Sequence, residues 1–153
     1  MVRADDSRLV LFLAMPRDQK RIFLQAAMAM PLFRLAVVIL GYSRIRRQLD
    51  SMNAGQRKEN VDPRDLRQFA KRVNQAASVT LGAGNCLTRS LVLQWMLARR
   101  DIVTDLRIGV QTKGKILTAH AWVEKNGIPI NDRSDIGDEY AVFDQPMPSS
   151  TFR

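Results

Sequence analysis

Residues 85–100 read NCLTRSLVLQWMLARR and residues 118–124 read TAHAWVE. The first stretch is apolar around most of its circumference and ends in Arg99 and Arg100, which suit the negative end of a helix dipole. Asn85 can cap its start, so the only cysteine of the chain, Cys86, falls in the first helical turn. The second stretch alternates with period two and carries the only histidine, His120. A buried helix with a thiol at its N-terminus, followed by strands with an imidazole, predicts an α+β fold. In it a central cysteine-bearing helix packs on a small antiparallel sheet.

Outward from this pair, Leu106, Ile108 and Val110 alternate with Arg107, Gly109 and Gln111 as a half-buried strand. A Lys-Gly-Lys turn leads to a second strand at 116–124. Asn126-Gly127 turns the chain into a third, Ile128 to Asp132, and Tyr140 to Phe143 reads as a short fourth. Upstream, Asp62 caps a helix that begins at Pro63 and places Leu66, Phe69, Ala70, Val73 and Ala77 on one stripe, until LGAGN at 81–85 breaks it. Residues 53–62 (NAGQRKENVD) form a polar loop. Before it, 7–15 and 17–29 read as helices parted by Pro16, and a third follows Pro31 through LFRLAVVIL to Gly41. We therefore expect a helical N-terminal region at 1–52 and the core at 53–153, in one folded unit of 153 residues.

Composition narrows the chemistry. One cysteine excludes an internal disulfide, and one cysteine with one histidine is a poor zinc donor set, so no metal is expected. No export signal is read at the N-terminus, where Asp5 and Asp6 stand in place of a purely positive segment, and the expected location is the cytoplasm. The net charge of +9 is uneven: residues 1–100 hold 18 Lys and Arg against 7 Asp and Glu, residues 101–153 hold 6 against 8. The arginines alternate with aliphatic residues and not with stacking aromatics, which points away from nucleic acid and toward a solvated or partner-docking helix face. Between Ile22 and Leu40, Gln25, Pro31 and Arg34 interrupt the apolar run, so a membrane span is not expected.

A thiol at a helix N-terminus meets unpaired N–H groups and the positive end of the dipole, both of which favour thiolate. An imidazole beside it stabilises the thiolate, and an acid behind the imidazole fixes its tautomer. Asp132, on the return strand of the His120 hairpin, is the candidate acid, with Asp135 in reserve. Register sets a condition: a two-residue Asn126-Gly127 turn puts Asp132 opposite Ala121, whereas a three-residue loop from Lys125 puts it opposite His120. The triad thus predicts the longer loop with Gly127 in the left-handed region. The backbone N–H of Cys86 is a natural oxyanion donor, with Asn85 or Gln75 as candidate side-chain helpers. Trp122 shares the face of His120 and is a candidate for lining the substrate cleft, against the commoner role of a core tryptophan. Arg89 is read as a structural ion-pair partner.

Taken together, NCLTRSLVLQWMLARR, DLRIGVQTKGK, AHAWVEKNG and Asn131-Asp132 resemble the C-terminal peptidase region of lasso-peptide maturation proteins, a transglutaminase-like branch of the papain-type cysteine hydrolases. The likeness is close over 85–143, a little over a third of the chain; the upstream helices share only the family's arginine-rich aliphatic style. It implies a bacterial cysteine peptidase that cuts the leader from a lasso-peptide precursor, with Cys86, His120 and Asp132 at the catalytic positions and no cofactor. It further implies the stand-alone form, whose leader recognition is supplied by a separate small protein, with an ATP-dependent cyclase acting afterwards; the arginine-rich aliphatic helices of 7–50 are the candidate surface for docking that protein. Two other readings stay open: acyl transfer to an amine by the same triad, and a basic scaffold without chemistry.

Overall fold

The computed structural model describes residues 13–53, 60–82, 85–113 and 116–142. Helices α1 (Arg17–Leu40), α2 (Tyr42–Asn53), α3 (Pro63–Thr80) and α4 (Cys86–Ala98) precede strands β1 (Asp105–Lys113), β2 (Ile116–Lys125) and β3 (Ile128–Pro129), a one-turn helix α5 (Ile136–Glu139) and strand β4 (Ala141–Val142). The sheet is antiparallel with the order β3-β2-β1-β4. The expected α+β arrangement is the observed one.

Helix α4 is the centre of the molecule. Leu91, Val92, Leu93, Met96 and Leu97 are all 1% exposed or less. Each such side chain contributes roughly 1.5–3 kcal/mol of hydrophobic transfer before its ordering cost is counted. Ser90 and Gln94 are also buried on this helix, and both find backbone acceptors: Ser90 Oγ donates to Ala121 O at 3.0 Å, Gln94 Nε2 to Thr104 O at 3.0 Å. These bonds bind the helix to β2 and to the residue before β1. Helix α3 begins as its sequence dictates, with Asp62 Oδ1 accepting from Arg64 N at 2.8 Å and Pro63 in the first turn. Its stripe of Leu66, Phe69, Ala70, Val73 and Ala77 enters the same core as Ala26, Met30, Ile45 and Leu49 from α1 and α2.

Three expectations are corrected here. Pro31 does not separate two helices; it lies inside one 24-residue helix. Pro31 is exposed, so the carbonyl released by its missing N–H can be hydrated, and packing of Ala26, Ala29 and Met30 on the core outweighs a loss of about 3 kcal/mol. The uninterrupted α1 is long and apolar enough to cross a membrane by length and composition, and it also supplies Ala26, Ala29 and Met30 to the core. Asn85 precedes α4 but does not cap it: its side chain donates back to Leu81 O at 2.7 Å. The third strand stops at Pro129, three residues short of Asp132. The 7–15 helix lies mostly outside the described residues, as do Gly114, Lys115 and Phe143.

Candidate active site

The N-terminus of α4 abuts β2, the strand that carries the histidine. Cys86 is half-buried and free, and its thiol is hydrogen-bonded to His120 and receives the backbone N–H groups of Ala121 and Leu87. His120 Nε2 lies 2.7 Å from Asp132 Oδ2, which leaves Nδ1 as the ring nitrogen for the thiol. Asp132 is itself held twice more: Oδ1 accepts from Arg133 N at 2.9 Å, and Arg89 Nη2 lies 3.4 Å from Oδ2. The three residues singled out in the sequence are therefore in one hydrogen-bonded line.

The hairpin reaches this line by a route that the register argument did not foresee. The turn is the two-residue Asn126-Gly127, with φ of 52° and 77°, and Lys125 pairs with Ile128 and Glu124 with Pro129. Continued as a strand, this register would carry Asp132 past Ala121, away from His120. The chain leaves the ladder instead. Ile130 N still donates to Val123 O at 2.9 Å, but the next acceptor for Val123 N is the side chain of Asn131, Oδ1 at 2.8 Å. Asn131 Nδ2 donates to Ser90 Oγ at 3.2 Å, and its carbonyl accepts from Asn74 Nδ2 at 2.9 Å. A buried side chain thus replaces the backbone of the departing strand, and Asp132, freed from the pleat, turns to His120. The expected three-residue loop and the direct 120–132 pair are both overturned, while the contact they were meant to secure is present.

Electrostatics favour an ion pair. Burial pushes the Cys86 thiol up, but the His120 hydrogen bond, the Ala121 N–H and the charge of the imidazole outweigh it and bring the thiol below its ordinary value. The Asp132 hydrogen bond, then that of Cys86, raise His120 from 6.5 to about 9 against the opposing effect of burial. Burial would raise Asp132, yet His120, the Arg133 N–H and Arg89 hold it below the usual carboxylate range. Imidazolium and carboxylate are therefore the favoured states at neutral pH, and Cys86 forms thiolate more readily than an ordinary cysteine. Such a thiolate can attack a carbonyl, the imidazolium can protonate a leaving amine, and the product is a thioester open to water or to another amine.

Aromatic packing holds the imidazole from behind. Tyr140 lies 5.3 Å and Trp122 6.2 Å from the His120 ring, centroid to centroid. Trp122 is fully buried, its indole N–H given to Glu124 Oε1 at 2.8 Å, and Glu124 accepts from Arg107 Nε at 3.0 Å. Gly109 stands opposite His120 because a Cβ there would meet Tyr140 Cβ at 2.7 Å. Trp122 accordingly supports the histidine and does not line the cleft. The cleft, of about 520 Å³, is walled by Asn74, Ala77, Ser78 and Gly82 on one side and by Asn85, Cys86, Arg89, Ala119 and His120 on the other.

Of the suggested oxyanion helpers, Asn85 is in this cleft, whereas Gln75 is not among its walls and its Oε1 accepts from Arg72 Nη1 at 2.7 Å. Asp135 is exposed and lies 3.8 Å from Arg133 Nε, apart from the triad. Sequence reasoning passed over Asn74, Ser90 and Tyr140 and gave Asn131 no role of its own. Only the placement of Asn131 beside Asp132 in a recognisable motif hinted at it. Among the described residues no cluster of His, Cys, Asp and Glu could hold a metal ion.

A family model described as transglutaminase-like superfamily matches residues 27–144, which covers most of the chain. The chain belongs to the transglutaminase-like superfamily. No curated protein and no solved structure matches it. A transglutaminase-like domain ordinarily carries cysteine peptidase or acyl-transfer activity, and the matched span includes Cys86, His120 and Asp132.

Proposed function

We propose that this transglutaminase-like protein is a cysteine peptidase that hydrolyses the leader–core bond of a lasso-peptide precursor, with Cys86 as nucleophile, His120 as general acid and base, and Asp132 as the orienting acid. The observation that carries the reading is the continuous hydrogen-bonded line from the Cys86 thiol through His120 to Asp132 Oδ2, at the N-terminus of the most buried helix. The thiolate attacks the carbonyl at the junction, and the backbone N–H of Cys86 stabilises the oxyanion. The imidazolium protonates the departing amine, and the same imidazole then deprotonates the water that frees the acid. The substrate is the precursor peptide, and no cofactor takes part. The lasso assignment itself rests on the sequence likeness of 85–143.

A separate leader-binding protein belongs to this reading. The elements described before Cys86 are helices, so no second sheet among the described residues offers an edge to a leader. Tethering by a partner would raise the effective concentration of the scissile bond at Cys86. The test is to incubate the protein with precursor and partner and follow the products by mass spectrometry. Release of leader with a free carboxylate, abolished in Cys86→Ala, supports hydrolysis. A leader joined to an amine supports the acyl-transfer alternative, and wild-type cleavage by Cys86→Ala refutes both.

A further inference from the structure

The sheet leaves one edge open beside the candidate nucleophile. Strand β3 covers only Glu124 and Lys125 of β2, so among the described residues the first half of β2 has β1 on one side and no strand on the other. Which backbone groups face that open side follows from the bonds further along. Val123 O accepts from Ile130 N, Val123 N donates to Asn131 Oδ1, and Ala121 O accepts from Ser90 Oγ, all on the side away from β1. Backbone groups of a strand alternate in direction, so the N–H and C=O of Ala119 and Leu117 point the same way. Among the described residues no backbone or side-chain group pairs with them. The next group in this row, the Ala121 N–H, is given to the Cys86 sulfur. Following the open edge toward Ala121 therefore leads onto the sulfur.

Three of the residues that line the cleft with this edge have small side chains, beside the larger Asn74 and Arg89. Ala77, Ser78 and Gly82, from the end of α3 and the turn after it, stand across the cleft from Ala119 and His120. An added strand lies about 4.8 Å from its neighbour, and small residues leave room for its backbone. Three apolar side chains, Ile116, Leu117 and Val79, are 67%, 67% and 59% exposed around this region, where an extended chain could cover them.

We infer that the acyl-donor peptide binds as an extended strand on the open edge of β2, pairing its main chain with Ala119 and Leu117, with small residues beside the scissile carbonyl where α3 closes the cleft. The inference deepens the peptidase reading and rests on it for the identity of Cys86 as nucleophile. Main-chain pairing tolerates many sequences and a two-residue edge supplies little affinity. The edge accordingly aligns the bond, while a tethering partner supplies the residence time.

The test compares covalent labelling of Cys86 by acetyl-Gly-Ala-Gly chloromethyl ketone with labelling by chloroacetone, which has the same reactive group and no peptide. The peptide probe should react at least about tenfold faster, the worth of one or two net main-chain hydrogen bonds. Replacing the probe's amides in turn by esters should remove most of that gain at the paired position. A tryptophan in place of the probe's alanine should also slow it. Ala119→Pro removes an N–H from the open edge without touching the β1 ladder. It should abolish the gain, read as the ratio of peptide-probe to chloroacetone rates within the same variant. Equal rates for peptide probe and chloroacetone, or for amide and ester probes, would overturn the inference whether or not Ala119→Pro folds. A Cys86 that reacts with chloroacetone no faster than free cysteine would instead count against the activated nucleophile, and the peptide-to-chloroacetone ratio would still decide the strand.

Discussion

Replacing Asn131 by alanine should damage both the fold and the candidate site, and the two effects can be measured separately. Asn131 is 5% exposed, and its side chain makes two bonds that no other group supplies, accepting from Val123 N and donating to Ser90 Oγ. Truncation orphans the buried Val123 N–H at about 1–3 kcal/mol and loses a net bond to Ser90 worth about 1 kcal/mol. A total of about 2–4 kcal/mol in a domain of this size lowers Tm by roughly 5–15 °C. The same change loosens the segment that delivers Asp132 to Nε2, so His120 should fall from about 9 toward 6.5. Thermal unfolding by circular dichroism reads the first effect. The pH dependence of Cys86 alkylation by iodoacetamide reads the second, because loss of the imidazolium should slow reaction near neutral pH. Unchanged Tm together with an unchanged alkylation profile would show that Asn131 does not hold the chain as argued.

The single histidine makes the site easy to titrate. Its imidazole proton resonances should report a midpoint near 9 in place of 6.5, and Asp132→Ala should move that midpoint down. Linkage gives a sign: the stability that His120 contributes is complete below pH 6.5 and is lost as the pH rises through about 9. The lowered Asp132 contributes in the opposite direction, fully above its ordinary 3.8 and less as the pH falls through its depressed value. Urea unfolding across pH in Cys86→Ala, which removes the thiol's own titration, should show both flanks, the upper one below 9 because the Cys86 hydrogen bond that helps raise His120 is gone. Gly109→Ala should cost about 1–3 kcal/mol, since the new methyl would meet Tyr140 Cβ at 2.7 Å and Trp122 Cη2 at 3.1 Å. It should slow alkylation of Cys86 as well, because both rings pack on His120; a stable variant with wild-type reactivity would refute the support role. Titrating the leader-binding partner into fixed amounts of enzyme and precursor should raise leader release at least tenfold, and equal rates with and without it would defeat the tethering argument.

Much of the molecule was legible from local pattern. The apolar circumference of 86–98, the Asp62-Pro63 start of α3 and the alternation at 105–111 each describe how one segment relates to its own core-facing side, and such information is contained in neighbouring residues. The pairing of Cys86 with His120 was also within reach, since a thiol at a helix start and a lone imidazole on the next strands had few other roles. Pro31 was misread because its penalty is local and the packing that outweighs it is not. Trp122 was placed on the correct face, but alternation does not say whether that face is open or covered. Here Tyr140, fifty residues downstream of Ser90 and at the end of α5, covers it.

The acid was the residue that tertiary structure alone decided. Sequence named Asp132, but period and turn length made its contact conditional on a three-residue loop, because a strand that remains in register must alternate. The observed turn has two residues, and the strand does not remain. Ser90 on α4, Asn74 on α3 and Val123 on β2 converge on Asn131, from positions as much as 57 residues away, and offer it more bonds than the ladder would. A chain leaves a sheet when groups from elsewhere satisfy its buried polar atoms better than the next strand position does. That comparison depends on what the fold brings near, and no reading of the hairpin by itself contains it.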